Sequence, residues 1–283
     1  MTRPLRYVAL GAQRYAVDHR FTDLPPGSGR VSDVTAGPCG RVFILIRHDP
    51  GEGESGPAVL VCDGSGRLLD QWDAGGIHDG HMLTAAPDGR LFVVDRDAHQ
   101  IVVLDGAGVV VGRMGERHRP FGPFNHPTDV AIAPDGSILV ADGYAASCIH
   151  RFAPDLSPLG RFGEHGVSGA AMLAPHALCC LSDGTIVVAD RDTNRVLLFA
   201  PDGALRGCLD VFHKPTALWA GAEDVIHVTD QTPSLTTLTA AGTVLGRCRP
   251  VANMGHGIWR LDDGAILLAE ANPNRVTVMR PVD

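Results

Sequence analysis

The sequence predicts an all-β chain folded as a six-bladed β-propeller, its blades set around a central channel. Two observations predict it. A ten-residue pattern recurs six times, and each copy is a tight turn followed by an apolar strand. Internal repetition at this period, with several strands per unit, favours a propeller over a sandwich or a solenoid.

The copies are GPCGRVFILI (37–46), APDGRLFVVD (86–95), APDGSILVAD (133–142), LSDGTIVVAD (181–190), GAEDVIHVTD (221–230) and LDDGAILLAE (261–270). The turn glycine falls at Gly40, Gly89, Gly136, Gly184 and Gly264, with Asp224 in its place in the fifth copy. Glycine tolerates the positive φ of a tight turn. The β-branched and aliphatic residues that follow suit a strand buried on both faces. A further apolar run comes next, as in IVVLD (101–105), CIHRF (148–152), RVLLF (195–199) and RVTVM (275–279). One such unit cannot cover its own apolar faces, whereas six arranged radially can. The whole chain, 1–283, reads as a single domain. The sixth copy ends close to the C-terminus, so the strand-like segment 6–18 is expected to complete the last blade and fasten the ring.

Composition narrows the function. The net charge is −8 and the basic residues form no run, which argues against a nucleic-acid partner. No apolar stretch approaches a membrane span, so no membrane partner is expected. The N-terminus carries no apolar run of signal-peptide length. The seven cysteines are odd in number and form no CxxC pair, as in a reduced cytoplasmic protein. The oligomeric state leaves no mark in the sequence.

One repeat position carries candidate chemistry. Eight residues before each turn position stand Ser32, His81, Thr128, His176, Thr216 and His256. Histidine occupies the second, fourth and sixth copies. These positions begin the strand expected to lie innermost. Alternate blades of a six-fold ring are related by a third of a turn, so the three imidazoles converge on the axis. Three converging nitrogens with an open position suit a catalytic zinc. Iron, cobalt, manganese and copper also accept imidazole. His78 reads as a loop or supporting residue, and His126 is two residues out of phase with the ligand position. Asp95, Asp142 and Asp190 recur at the strand end, where a carboxylate bonds turn amides. Arg96 and Arg191 follow two of them, facing either the rim or solvent.

The repeats look like NHL repeats, and the chain resembles the catalytic propeller of peptidyl-α-hydroxyglycine α-amidating lyase over roughly residues 31–280. The segments that carry the resemblance are HPTDVAIAPDGSILVADGYAASCIHRF (126–152), APHALCCLSDGTIVVADRDTNRVLLF (174–199) and HMLTAAPDGRLFVVDRDAHQIVVLD (81–105). The resemblance implies zinc on His81, His176 and His256. It places Tyr144 close to the substrate hydroxyl, and Arg47 where it holds the tyrosine and substrate. It implies a lyase that cleaves the N–C bond of an α-hydroxyglycine to an amide and glyoxylate, acting on a small-molecule or peptide substrate. Two departures stand out. The family's calcium-binding Asp after the third histidine is Gly257 here, leaving only backbone oxygens near Val34 and Leu83 for a calcium ion. An arginine of the family's DGY element is Cys148. A metal-dependent hydrolase or hydratase on the same histidines, and a non-catalytic NHL scaffold that binds a protein partner, are the competing readings. A calcium-type lactonase, which uses mainly carboxylate and amide ligands, matches a three-imidazole set poorly.

Overall fold

A computed structural model describes residues 6–48, 54–77 and 79–283. Six antiparallel sheets form the ring. The first blade comprises β3 (Arg30–Ala36), β4 (Val42–Arg47), β5 (Val59–Cys62) and β6 (Leu68–Trp72). The second comprises β7 (Gly80–Ala85), β8 (Leu91–Asp95), β9 (Gln100–Leu104) and β10 (Val110–Met114). In the third are β11 (Asp129–Ile132), β12 (Ile138–Asp142), β13 (Cys148–Phe152) and β14 (Pro158–Phe162). The fourth has β15 (Pro175–Cys180), β16 (Ile186–Asp190), β17 (Arg195–Phe199) and β18 (Leu205–Leu209). The fifth has β19 (Pro215–Ala220), β20 (Val225–Asp230), β21 (Ser234–Thr239) and β22 (Val244–Cys248).

The sixth blade joins the two ends of the chain. Its inner strands are β23 (Gly257–Arg260), β24 (Ile266–Glu270) and β25 (Arg275–Val282). Outside them lie β2 (Gln13–Asp18) and β1 (Arg6–Leu10), so this sheet has five strands. Val17 pairs with Met279 and Tyr15 with Pro281. The innermost strand of each blade packs on the next, and β23 closes onto β3.

The local chemistry follows the pattern of the repeat. The turn residues Gly40, Gly89, Gly136, Gly184 and Gly264 all have φ between 72° and 89°, and Asp224 adopts φ 55°. The second strands are wholly buried in blades two, three, four and six, because they face neighbouring blades on both sides. The outer strands alternate or are largely exposed.

The acid that ends the second strand ties down the loop leading into the innermost strand. Asp95 accepts the Asp79 amide at 2.9 Å. Asp142 accepts the Asn125 amide on both oxygens, at 3.0 and 2.8 Å. Asp190 takes those of Leu173 and Ala174, each at 2.9 Å. Glu270 takes that of Ala252 at 3.0 Å. In these four blades the buried carboxylates fix the loop from which the innermost strand starts.

No helix among the described residues is long and apolar enough to cross a membrane. All seven cysteines are free thiols.

Tyr15 carries much of the closure. It is buried among Leu235, Val251, Leu268 and Met279. Tyr15→Ala is expected to lower the free energy of unfolding by about 3 kcal/mol, the usual cost of emptying an aromatic site. Urea titration measures it, and a loss below about 1 kcal/mol would make the N-terminal hairpin an appendage instead of a clasp.

Candidate active site

The three histidines meet on the axis. His81, His176 and His256 are buried, and one ligating nitrogen from each lies within 4.8 Å of the others. Their ring centroids are 4.9, 4.9 and 5.2 Å apart, with the rings edge to face. Each imidazole is held from behind by the next blade. Nδ1 of His81 donates to the Thr128 carbonyl (2.7 Å), Nδ1 of His176 to that of Thr216 (2.7 Å), and Nδ1 of His256 to that of Ser32 (2.8 Å). A carbonyl oxygen can only accept, so Nδ1 carries the proton and Nε2 presents a lone pair to the axis. Burial lowers the pKa of all three, and in His81 and His176 the neighbouring imidazoles lower it further. His256 falls to about 4. Three neutral imidazoles with their outer nitrogens bonded to oxygen are the donor set a transition metal takes. The set could hold a metal ion.

The Ser and Thr of the alternate copies complete the ring. The Ser32 hydroxyl donates to the His81 carbonyl (2.6 Å), and that of Thr128 to the Pro175 carbonyl (2.7 Å). Thr216 turns its hydroxyl back to Lys214 instead (3.1 Å).

Tyr144 covers His81. Gly143 makes this possible: a Cβ there would come within 2.1 Å of the Pro175 carbonyl, so the turn passes too close for any side chain. The Tyr144 oxygen lies 3.0 Å from His81 Nε2 and 3.0 Å from Arg191 Nη1. The guanidinium can only donate, so the phenol accepts from Arg191 and turns its own proton toward the imidazole. The guanidiniums of Arg191 and Arg96 also lie over the phenol ring, at 5.1 and 5.3 Å from its centroid.

Arg47 stands on the wall of the same cavity, but its guanidinium pairs with Asp79. Arg96 binds the other oxygen of Asp79 at 2.8 Å. Burial raises the Asp79 pKa, and the two guanidiniums oppose the rise. The arginines that touch the tyrosine are therefore Arg191 and Arg96, with Arg47 linked to Arg96 through a shared carboxylate.

Asp79 did not emerge from the sequence, although a signal existed. Two residues before the histidine phase stand Arg30, Asp79, His126, Ala174, Lys214 and Met254, and fifteen after it stand Arg47, Arg96, Gly143, Arg191, Gln231 and Ala271. Arg30, Asp79 and Met254 of the first set and all but Gly143 of the second line one cavity of about 860 Å³, open above His176 and His256. The remaining candidates lie elsewhere. His126 packs its ring against His99 at 4.4 Å, off the axis. His78 falls outside the described residues.

Below the histidines the channel changes character. Asp33 and Asp129 follow Ser32 and Thr128 in the chain and are buried. Asp33 accepts the amides of Val34 (2.8 Å) and, across the blade boundary, Leu83 (2.9 Å). Asp129 does the same with Val130 (2.7 Å) and Leu178 (2.9 Å). Gly257 is part of this level, since a Cβ there would come within 1.8 Å of Asp33 Oδ1. The Asp33 carboxylate thus fills the space beside residue 257. With two carboxylates, each accepting two backbone amides across or beside a blade boundary, this level is a clasp between blades and supplies fewer side-chain oxygens than a calcium cage of six or more takes.

Burial pushes the Asp129 pKa up to about 7, and that of Asp33 well above the carboxylate range. A carboxyl raised on folding keeps its proton while the unfolded chain loses it. Stability from Asp129 is therefore full below about pH 4 and lost as pH rises toward 7. Asp129→Asn is expected to flatten that part of the stability–pH curve by a few kcal/mol. Urea midpoints taken from pH 4 to 8 test this, and an unchanged slope would contradict it.

Comparison with known proteins agrees with the repeat. Residues 124–152, in the third blade, match the NHL repeat model. The chain is 33% identical over 149 residues to a probable peptidyl-alpha-hydroxyglycine alpha-amidating lyase of Caenorhabditis elegans, covering 50% of this chain and 43% of the relative. It is 29% identical over 267 residues to peptidyl-glycine alpha-amidating monooxygenase B of Xenopus laevis, covering 85% of this chain and 30% of that protein. The chain thus spans less than half the length of these relatives. Among solved structures, a streptogramin B lyase superposes with a TM-score of 0.70 at 15% identity, covering 95% of this chain and 98% of that one. A gluconolactonase of Xanthomonas campestris reaches 0.71 at 16%, covering 99% and 96%. At such identities these structures speak for the fold alone. The chain is a six-bladed β-propeller that matches the NHL repeat in its third blade and resembles the amidating lyases.

Proposed function

We propose that the protein is a zinc-dependent lyase that cleaves the N–C bond of an α-hydroxyglycine or related carbinolamide, releasing an amide and a carbonyl product such as glyoxylate. One observation carries the reading: a tyrosine hydroxyl bonded at once to one of three converging imidazoles and to an arginine. The amidating-lyase names of the relatives support it.

The reaction needs neither water nor a redox partner. The substrate hydroxyl loses its proton, the oxygen electrons form the carbonyl, and the N–C electron pair leaves with the nitrogen. The proton ends on that nitrogen, giving the amide. Zinc held by His81, His176 and His256 would supply Lewis acidity to the substrate oxygen. Tyr144 is the group placed to accept the hydroxyl proton as it gives its own to the leaving nitrogen. Arg191 holds the phenol oxygen in place by donating to it. The mouth carries Arg30, Arg47, Arg96 and Arg191 against Glu54, Asp79 and Asp97, and its guanidiniums could fork onto a substrate carboxylate. Asp79 holds two of these arginines in place.

Two outcomes test the reading. Purified protein incubated with an N-acyl-α-hydroxyglycine is expected to yield the amide and glyoxylate in equal amounts. In oxygen-labelled water, quenched before hydrate exchange, the glyoxylate carbonyl is expected to be unlabelled. Solvent label acquired at cleavage would point to a hydrolase, and no turnover of any carbinolamide would refute the lyase. Tyr144→Phe is expected to lower kcat about 100-fold or more while metal content stays constant. His81→Ala, His176→Ala and His256→Ala are each expected to lose about one metal ion per chain by elemental analysis.

A further inference from the structure

A second group of ligating side chains lies inside the third blade, away from the axis. Asp142 ends β12, and Cys148 and His150 lie on β13. All three are buried, with exposures of 0%, 2% and 5%. Their ligating atoms lie within 4.8 Å of one another. His150 Nε2 is 3.4 Å from Cys148 Sγ and 3.2 Å from Asp142 Oδ2.

The other blades show what is unusual here. The residue opposite the strand-end acid is Arg195 for Asp190 and Arg275 for Glu270, and both guanidiniums bind the carboxylate. Gln100 and Ser234 stand opposite Asp95 and Asp230 and also donate to them. In the third blade the same register position holds Cys148, and His150 follows two residues later. Only here among the described blades does the acid face a thiol and an imidazole. Sulfur, nitrogen and oxygen donors in one buried cluster form a ligand set for a thiophilic divalent cation. The spacing fits as well. Tetrahedral zinc, with bonds of about 2.3 Å to sulfur and about 2.0 Å to nitrogen and oxygen, sets S···N near 3.5 Å and N···O near 3.3 Å. The observed separations agree to within about 0.1 Å.

We propose that Asp142, Cys148 and His150 form a second metal site, distinct from the axial histidines, for zinc or a similar thiophilic divalent ion. The Asn125 amide bonds to both oxygens of Asp142, an outer partner that orients this ligand. Asp142 and Cys148 bracket the turn that carries Tyr144, so an ion here pins both ends of that turn. The metal replaces the arginine that serves this purpose in the fourth and sixth blades.

Cobalt loading separates the two sites, because the axial set contains no sulfur. Metal-stripped wild-type protein loaded with Co²⁺ is expected to bind about two ions per chain and to show a thiolate-to-cobalt charge-transfer band. Cys148→Ser is expected to bind about one and to lose the band. Cys148→Arg, which restores the residue of the fourth and sixth blades, is expected to fold with normal thermal stability and also to lose the band. Absence of the band from the wild type, or its persistence in either variant, would overturn the proposal. The result does not depend on catalysis, so it stands or falls apart from the lyase reading.

Discussion

The hydrogen bond from each axial imidazole to the carbonyl of the next blade is the constraint on which the centre depends. It joins neighbouring blades where they are closest. It also selects the tautomer, because the carbonyl leaves Nδ1 no choice but to donate. Nε2 then turns its lone pair to the axis, where that of His81 meets the Tyr144 hydroxyl. One contact thus serves closure of the ring and preparation of the centre. A ring of six can alternate histidine with serine or threonine and place three equal donors about one axis.

The electrostatics divide the channel into three levels. The mouth sets four arginines among Glu54, Asp79 and Asp97, with guanidiniums gathered on the buried Asp79 and over Tyr144. The middle is neutral, since burial and mutual repulsion keep the imidazoles uncharged. The floor carries two carboxyl groups raised by burial. An anionic ligand that enters from the mouth meets attraction first and then three neutral donors. It never needs to approach the acidic floor.

Much of the architecture was readable because each blade repeats a local rule. Turn glycines with positive φ, buried second strands and strand-end acids follow from short-range sterics and burial, so the pattern APDGSILVAD carries its own structure. The convergence of His81, His176 and His256 was readable for a related reason, since equal phase in a ring means equal radius and height. The partners of Arg47 were not readable. The resemblance set it beside the tyrosine, but whether it turned toward Tyr144 or toward Asp79 depended on a carboxylate from the neighbouring blade. The cluster in the third blade was hidden for the same reason. Cys148 looked like a lost arginine until the register showed His150 beside it.

The sequence by itself determined the blade count, the strand order within a blade and the set of side chains that reach the axis, because these depend on periodicity and on neighbours along the chain. The tertiary structure decided which nitrogen of each histidine faces inward, which arginines hold Tyr144, and that Asp33 occupies the space left by Gly257. Those outcomes rest on hydrogen bonds and close contacts between blades, where residues some forty or more positions apart meet at 2.7–3.0 Å. Spacing along a chain brings such atoms to the same level of the ring, and only packing sets their final orientation.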